Sequence, residues 1–272
     1  MKRWSEQDIP WRKFDPSKVD PDVLKIVKAA SMVEKNAGDY AHYLCNVFHD
    51  DPEFQAVARG WAEEEVQHGD VLARWAELAD SGFDFQDRFK RFTEGYRLPL
   101  DATQSVRGSR AGELVARCIV EVGTNSYYSA LTVATDEPVL KAICKRIADD
   151  EMRHYKLFYT HLERYLDREG LGVWGRLRIA LGRLGESEDD ELGYAYYAAN
   201  GNGEPYDRRR NIAAYGHRAF RHYHPAVIKR GVALILKAVG LKTNGRIGRI
   251  GVHLVSLVLR LRRHQFAKAE LL

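Results

Sequence analysis

Six potential metal ligands occur in this chain of 272 residues as two copies of one pattern. Each copy has a lone glutamate followed, 31 or 30 residues later, by the motif Glu-x-x-His. The members are Glu34, Glu65 and His68 in the first copy, and Glu121, Glu151 and His154 in the second. Residues three apart lie on the same face of a helix, so the Glu and His of each motif can bind one metal ion. This is the ligand set that a carboxylate-bridged pair of iron or manganese ions needs inside a four-helix bundle.

Each copy of the pattern also contains a turn marked by proline. Asp51-Pro52 and Glu137-Pro138 interrupt the helical pattern, because proline cannot occupy a helix interior and suits the first turn of a new helix. The lone glutamate lies 17 or 16 residues before this break, and the Glu and His of the motif lie 14 and 17 residues after it. Two antiparallel helices would therefore present their ligands at the same height in both copies.

The competing interpretation is that the two motifs form surface salt bridges. The chain has nineteen glutamates, so Glu-x-x-His arises easily by chance and is weak evidence alone. The matched upstream glutamate is harder to obtain twice, and the ligands lie among apolar residues such as Val33 and Ile119. Because an unpaired buried carboxylate is costly, the pattern favours a metal site over surface ion pairs.

The hydrophobic periodicity predicts an all-α protein. Helices are predicted at about 21–49, 52–80, 109–135 and 137–168, and no β pattern is persuasive. The connection 82–108 is long enough to run the length of a bundle, which is the crossover that ferritin-like bundles use. We therefore expect a ferritin-like four-helix bundle with a crossover connection, plus extra C-terminal helices.

Composition divides the chain into three predicted parts. They are an N-terminal arm at 1–20, the diiron bundle at 21–170 and a basic helical C-terminal extension at 171–272. Within the extension we expect a short basic helix at 173–184, a polar stretch at 185–210 and renewed helical pattern at 211–266.

The positive charge is concentrated near the C-terminus. Residues 205–272 contain fifteen lysines or arginines and two acidic residues, a net charge of +13 in a chain whose total is +4. Such a segment could contact an acidic protein or an anionic membrane, and we do not expect a nucleic acid partner. The alternative is a helical cap on the bundle with solvated cations.

Several classes of protein are disfavoured. The chain has no run of 18 apolar residues and no apolar stretch of the kind that marks a signal peptide, so we expect a cytoplasmic location. Its three cysteines, Cys45, Cys118 and Cys144, show no Cys-x-x-Cys spacing. They therefore predict core residues, not a disulfide framework or a rubredoxin-type iron site.

Two stretches resemble the soluble acyl carrier protein desaturases of the ferritin-like diiron superfamily. Residues 59–70 are similar to the family pattern R-x-W-x-x-E-E-x-x-H-G-D, and residues 147–154 are similar to I-A-x-D-E-x-R-H. Thr124 follows Glu121 by one turn, where the family also places a threonine. The resemblance covers about residues 30–168 and leaves the basic C-terminal third without a counterpart.

The resemblance implies that two ferrous ions, with manganese or a mixed pair as alternatives, activate dioxygen for attack on an unactivated C–H bond. It implies bridging roles for Glu65 and Glu151, terminal roles for Glu34 and Glu121, and one iron ion each for His68 and His154. Thr124 could hydrogen-bond an oxygen intermediate or, equally, its own helix backbone. Asp150 is positioned to orient a ligating histidine through the second ring nitrogen.

The expected reaction is desaturation of a fatty acyl chain bound to an acyl carrier protein. Because the chain lacks rubredoxin cysteines, a flavin fingerprint and a haem motif, electrons should come from an external donor such as a ferredoxin. We also expect a homodimer. Hydroxylation of a lipid, quinone or tRNA is the main alternative, and a ferritin-like or rubrerythrin-like iron-binding protein is a second. A radical-generating reductase subunit is disfavoured, because Leu72 stands where that class needs a tyrosine.

Overall fold

The structure, a computed structural model, describes residues 3–185, 190–201 and 203–270. All regular elements in these ranges are helices, and the described residues contain no β-strand. The all-α prediction is therefore confirmed, whereas the ferritin-like arrangement of the helices stays a prediction.

Six helices of the first 170 residues surround the predicted ligands or connect the helices that carry them. They are α1 (Pro21–Lys35), α2 (Ala37–Val47), α3 (Pro52–Ala79), α4 (Phe85–Gly95), α5 (Arg110–Ala134) and α6 (Pro138–Glu169). Pro52 and Pro138 are the first residues of α3 and α6, and the side chains of Asp51 and Glu137 accept hydrogen bonds from the first-turn N–H groups. The two proline-marked turns thus lie where the sequence placed them.

The first predicted helix, 21–49, is interrupted near its middle. Asn36 ends α1, and its N–H is shared between the carbonyls of Met32 and Val33 at 3.1 and 3.2 Å. The Asn36 side chain makes no capping hydrogen bond, so the turn is explained only by the low helix propensity of asparagine. The break comes two residues after Glu34 and separates that ligand from α2.

Two helices formed where the sequence predicted irregular chain. Helix α4 lies within the predicted crossover, and α8 (Asp190–Asn200) lies within the predicted polar stretch 185–210. The two helices pack together, and Phe92 of α4 contacts Tyr194 of α8. Phe85, Phe89 and Phe92 have the i, i+4, i+7 spacing of an amphipathic helix, which the neighbouring Gly and Pro residues obscured.

The C-terminal helices cover the sides of the first six. They are α7 (Val173–Gly185), α8, α9 (Arg208–Phe220), α10 (Pro225–Val239) and α11 (Arg246–Glu270). Helices α8 and α9 pack on α1, helices α7 and α10 pack on α5, and α11 packs on α9 and α10. Among the described residues, no helix combines the length and the apolar character needed to cross a membrane.

Candidate metal centre

The six predicted ligands converge in the interior from four helices. Glu34 lies in the last turn of α1, Glu121 lies near the middle of α5, and the two Glu-x-x-His motifs lie near the middles of α3 and α6. All six side chains are buried. Their burial follows from the apolar faces that flank them, and it excludes the interpretation that the motifs are exposed ion pairs.

The ligand atoms form two groups that share two glutamates. One group is Glu34, Glu65, His68 and Glu151, and the other is Glu65, Glu121, Glu151 and His154. Within each group, one ligand atom from each residue lies within 4.8 Å of the others. Each group therefore offers three carboxylates and one imidazole, and Glu65 and Glu151 lie between the two.

Both histidines direct Nδ1 towards the shared glutamates. His68 Nδ1 lies 2.9 Å from Glu65 Oε2, and His154 Nδ1 lies 3.0 Å from Glu65 Oε1. The two oxygens of one carboxylate thus face two different imidazoles. Such an arrangement suits a carboxylate that bridges two metal ions, each with its own histidine.

The outer nitrogen of each histidine contacts an acid that precedes a shared glutamate. His68 Nε2 lies 3.1 Å from Asp150 Oδ2, and His154 Nε2 lies 3.1 Å from Glu64 Oε2. The contact of Asp150 is the one expected of it from the sequence, whereas sequence reasoning missed Glu64. The doubled pattern contained the signal, because Glu64 precedes Glu65 as Asp150 precedes Glu151.

The N-terminal arm closes the outer side of this acid pair. Trp4 Nε1 donates a hydrogen bond to Asp150 Oδ2 at 2.7 Å, and Arg3 Nε lies 2.7 Å from Glu64 Oε1. Arg153 on α6 contacts both acids, with its Nη2 2.7 Å from Glu64 Oε2. Nothing in the residue pattern of the arm had predicted this contact with the site.

The buried surroundings raise the pKa of some predicted ligands and lower the pKa of another. Burial, followed by repulsion from neighbouring carboxylates, raises the pKa of Glu34 and of Glu121 well above the ordinary value. Burial also opposes ionisation of Glu65, but His154 and His68 hold its pKa well below the ordinary value. Although burial lowers it, the acids around His154, Glu65 foremost, raise the pKa of that imidazole to about 10.

Several buried polar atoms of the centre lack a hydrogen-bond partner among the described residues. They are both carboxylate oxygens of Glu121, Glu151 Oε1 and His154 Nδ1, whose approach to Glu65 lacks hydrogen-bond geometry. Buried polar atoms are normally satisfied, so orphaned acceptors that converge from different helices are compatible with a bound cation. Carboxylate and imidazole ligands suit iron or manganese, and the residues present therefore fit a two-metal centre.

Thr124 and Tyr128 lie on the side of α5 that faces the centre. Thr124 Oγ1 is 2.5 Å from Glu151 Oε2 and 3.2 Å from the carbonyl oxygens of Val120 and Glu121. Its hydroxyl therefore has a partner both in the centre and in its own helix backbone, the two roles considered from the sequence. Tyr128 Oη donates a hydrogen bond to Glu34 Oε1 at 2.5 Å. Sequence reasoning missed Tyr128, although it lies four residues after Thr124 on the same helix face.

Two cavities adjoin the centre on this side. The larger has a volume of about 200 Å³ and reaches from Glu34 and Thr124 to aromatic residues of the C-terminal helices, including Tyr215 and Phe220. The smaller has a volume of about 60 Å³ and is lined by Glu65, among other ligands. The cavities share wall residues, Glu34 and Thr124 among them, and therefore lie next to each other.

No protein-family model and no curated protein matches this chain. The site is defined by its own geometry, which consists of buried glutamate and histidine clusters able to hold metal ions. The identity of the metal and the reaction are inferences from that geometry and from the resemblance of the two motifs.

Proposed function

We propose that this protein is a dioxygen-dependent diiron oxidoreductase that oxidises an unactivated C–H bond of an apolar substrate. The observation that carries the proposal is the pair of ligand groups that share Glu65 and Glu151, directly beside a cavity of about 200 Å³. Two ferrous ions bound there would supply the electrons and Lewis acidity that dioxygen activation requires, which side chains alone cannot supply.

In this proposal the four helices act as a fixed cage for two cations. Glu65 and Glu151 would be available to both ions, Glu34 and His68 would complete the ligands of one, and Glu121 and His154 would complete those of the other. Four carboxylates balance the charge of two divalent cations, so the buried cluster becomes electrically neutral when both are bound.

Neighbouring side chains orient the predicted ligands and line the path by which a substrate would reach them. Asp150 and Glu64 fix the two imidazole rings through Nε2, which leaves Nδ1 free to bind metal. Tyr128 holds Glu34 from the side of the larger cavity, and Thr124 holds Glu151. A substrate in that cavity would therefore reach the centre past the two hydroxyl groups.

Desaturation of an acyl chain is the reaction that the resemblance implies, and the predominantly aromatic and aliphatic wall of the larger cavity supports an apolar chain. Hydroxylation begins with the same removal of hydrogen and differs only in the fate of the carbon radical. An iron-storage protein needs no apolar substrate cavity, so the cavity beside Glu34 and Thr124 favours an oxidoreductase. Mass spectrometry of lipid that copurifies with the protein would identify the chain.

Metal loading provides the direct test of the centre. Protein reconstituted anaerobically with ferrous iron should bind two iron ions per chain, and Glu65→Ala or His154→Ala should bind one or none. Glu63→Ala is the matched control, because Glu63 is exposed on the same turn of α3. Elemental analysis that finds no iron in the wild-type protein would overturn the proposal.

The source of electrons provides a second test. Because no flavin or rubredoxin motif is present in the sequence, sustained oxygen consumption should require a ferredoxin and its reductase. An oxygen electrode can compare the complete mixture with one that lacks the ferredoxin. Many turnovers by the isolated protein with NADH alone would contradict an external donor.

A further inference from the structure

Two buried donors line the smaller cavity without an acceptor. The guanidinium of Arg117 makes no hydrogen bond to a described residue, and neither does the indole Nε1 of Trp61. Their residues are only 7% and 5% exposed. Buried donors of this kind are rare and costly, particularly a charged one, so a cavity bounded by both points to an absent acceptor.

Neither Glu121 nor Glu113 hydrogen-bonds Arg117: the charge of Arg117 acts on the pKa of Glu121, but both carboxylate oxygens of Glu121 lack a hydrogen-bond partner. Arg117 Nε lies 4.0 Å from Glu113 Oε1, which is beyond hydrogen-bonding distance. Glu113 accepts hydrogen bonds from Tyr43 and Ser105 at its other oxygen. The guanidinium instead lies over the ring of Tyr40, with its carbon 4.8 Å from the ring centroid.

The two donors hold equivalent positions relative to the centre. Trp61 precedes Glu65 by four residues on α3, and Arg117 precedes Glu121 by four residues on α5. Residues four apart are neighbours on one helix face, so both donors lie one turn from a predicted ligand. Without metal, the five glutamates of the cavity wall disfavour an anion. Two divalent cations would neutralise the four that are predicted ligands. Arg117 and Arg183 would then face one remaining acid, Glu191, so that an incoming anion meets net positive charge.

We propose that Arg117 and Trp61 form a carboxylate-binding site, and that the substrate is a free apolar carboxylic acid instead of a thioester. This inference rests on the proposed function for its placement beside the reacting centre. The smaller cavity, at about 60 Å³, suits a compact carboxylate group, whereas the larger cavity, at about 200 Å³, suits the hydrocarbon chain. The hydrocarbon chain would pass Thr124 into the larger cavity.

This assignment explains why a strongly basic group is buried beside an apolar cavity. A charge-assisted hydrogen bond from arginine to carboxylate is about twice as strong as a neutral one, and a thioester carbonyl offers no charge. The site would therefore select the acid over the alcohol and the thioester of the same chain length. It would also fix the distance between the carboxylate and the carbon that faces the metals.

Calorimetric titration tests the site without any turnover. Decanoate, decan-1-ol and an S-decanoyl thioester are titrated into metal-free protein and into protein loaded with manganese. We expect decanoate to bind the manganese form at least tenfold more tightly than decanol or the thioester. Arg117→Met should remove most of this preference while decanol binding is retained, and Trp61→Phe should weaken decanoate binding several-fold.

Arg97→Met is the matched control, because it removes an exposed arginine remote from both cavities and should leave decanoate binding unchanged. Equal affinity of the wild-type protein for decanoate and decanol would overturn the site, and this result does not depend on whether Arg117→Met folds. Tighter binding of the thioester would instead favour a carrier-bound substrate. A protein that binds two metal ions but shows no preference for decanoate would overturn the site and leave the proposed function standing, whereas a protein that binds no metal would overturn the proposed function, so the two failures are distinguishable.

Discussion

Each histidine of the candidate centre is held between a shared glutamate and an outer acid. His68 lies between Glu65 and Asp150, and His154 lies between Glu65 and Glu64. An acid on Nε2 fixes the ring orientation and makes Nδ1 a better ligand. Neither outer acid belongs to the two ligand groups. Its loss should therefore lower the affinity for metal without changing the number of metal ions bound.

Asp150→Asn and Glu64→Gln should each lower metal affinity by about 10- to 100-fold while the stoichiometry at saturating metal stays the same. The amide can no longer stabilise the imidazole that binds the cation. Competition with a metal chelator measures this affinity. Asp149→Asn and Glu63→Gln are matched controls, because these neighbours are exposed and should bind metal as the wild-type protein does. Equal affinities for all four variants would show that the outer acids serve only packing.

The six residues of the two candidate ligand groups could be found from the sequence because their spacing is local. Glu-x-x-His pairs and a turn marked by proline require no knowledge of tertiary contacts. Tyr128, Trp4 and Arg117 were missed because their importance comes from what other helices bring to them. Tyr128 meets Glu34 across 94 positions, and Trp4 meets Asp150 across 146 positions.

At the scale of elements, the close contact of α1 with α3 determines where Glu34 and His68 lie. Gly69 sits against the backbone of Lys35, and a Cβ atom at position 69 would lie 2.6 Å from Lys35 N. Lys35 Nζ and Asp70 Oδ1 form an ion pair across the same contact at 2.5 Å. Gly69 follows His68, and Lys35 follows Glu34. A change in the distance between α1 and α3 would therefore also change the distance between these two predicted ligands.

Gly69→Ala should destabilise the protein by about 2–3 kcal/mol, because the backbone of Lys35 cannot move aside without displacing α1. It should also weaken metal binding, since Glu34 and His68 would separate. Thermal unfolding and iron titration measure the two effects. Gly38→Ala is the control, because a Cβ atom there meets nothing within 4 Å and the change should stabilise α2 by about 0.5–1 kcal/mol. Full metal affinity in Gly69→Ala would show that the centre tolerates displacement of α1.

Helix boundaries were predicted well where proline and a capping acid mark them, as at Pro52 and Pro138. Asn36 divided the first helix without such a mark, and α4 and α8 formed inside segments whose Gly, Pro and polar content suggested loops. Helices α4 and α8 pack on each other, and a contact between segments far apart in the chain cannot be predicted from either segment alone. Local propensity is a weak guide where burial against another helix supplies the stability.

At the scale of the whole molecule, the basic segment is only partly available to a partner. Arg218 and Arg221 contact Asp22 on α1 at 2.8 Å, so these cations help to attach α9 to the protein. Docking of an acidic acyl carrier protein, the alternative to the free acid proposed above, stays a prediction and would depend on the exposed residues Arg208, Arg209 and Arg210, of which Arg210 also pairs with Glu204. Charge reversal at these three positions should abolish such docking in a pull-down at low salt, and unchanged capture would contradict it.

Helix α11 presents a different surface, on which large apolar side chains are exposed along one stripe. These side chains are Ile247, Ile250, Leu254, Leu257, Val258 and Leu261, each between 42% and 58% exposed. Arginines of the same helix flank the stripe, Arg246 and Arg260 among them. An apolar face bordered by cations is typical of a helix that lies on an anionic membrane surface.

We expect the protein to bind vesicles of phosphatidylserine and phosphatidylcholine more tightly than vesicles of phosphatidylcholine alone. Leu254→Glu should reduce binding to the anionic vesicles more than tenfold, because it removes apolar contact and adds a repelled charge. Leu78→Glu is the matched control, since Leu78 is 47% exposed on α3 and lies outside the stripe, whereas Leu254 is 53% exposed. Vesicle sedimentation measures the binding. If Leu254→Glu instead converts a dimer to a monomer in analytical ultracentrifugation and leaves vesicle binding unchanged, the stripe is the interface of the expected homodimer and not a membrane surface.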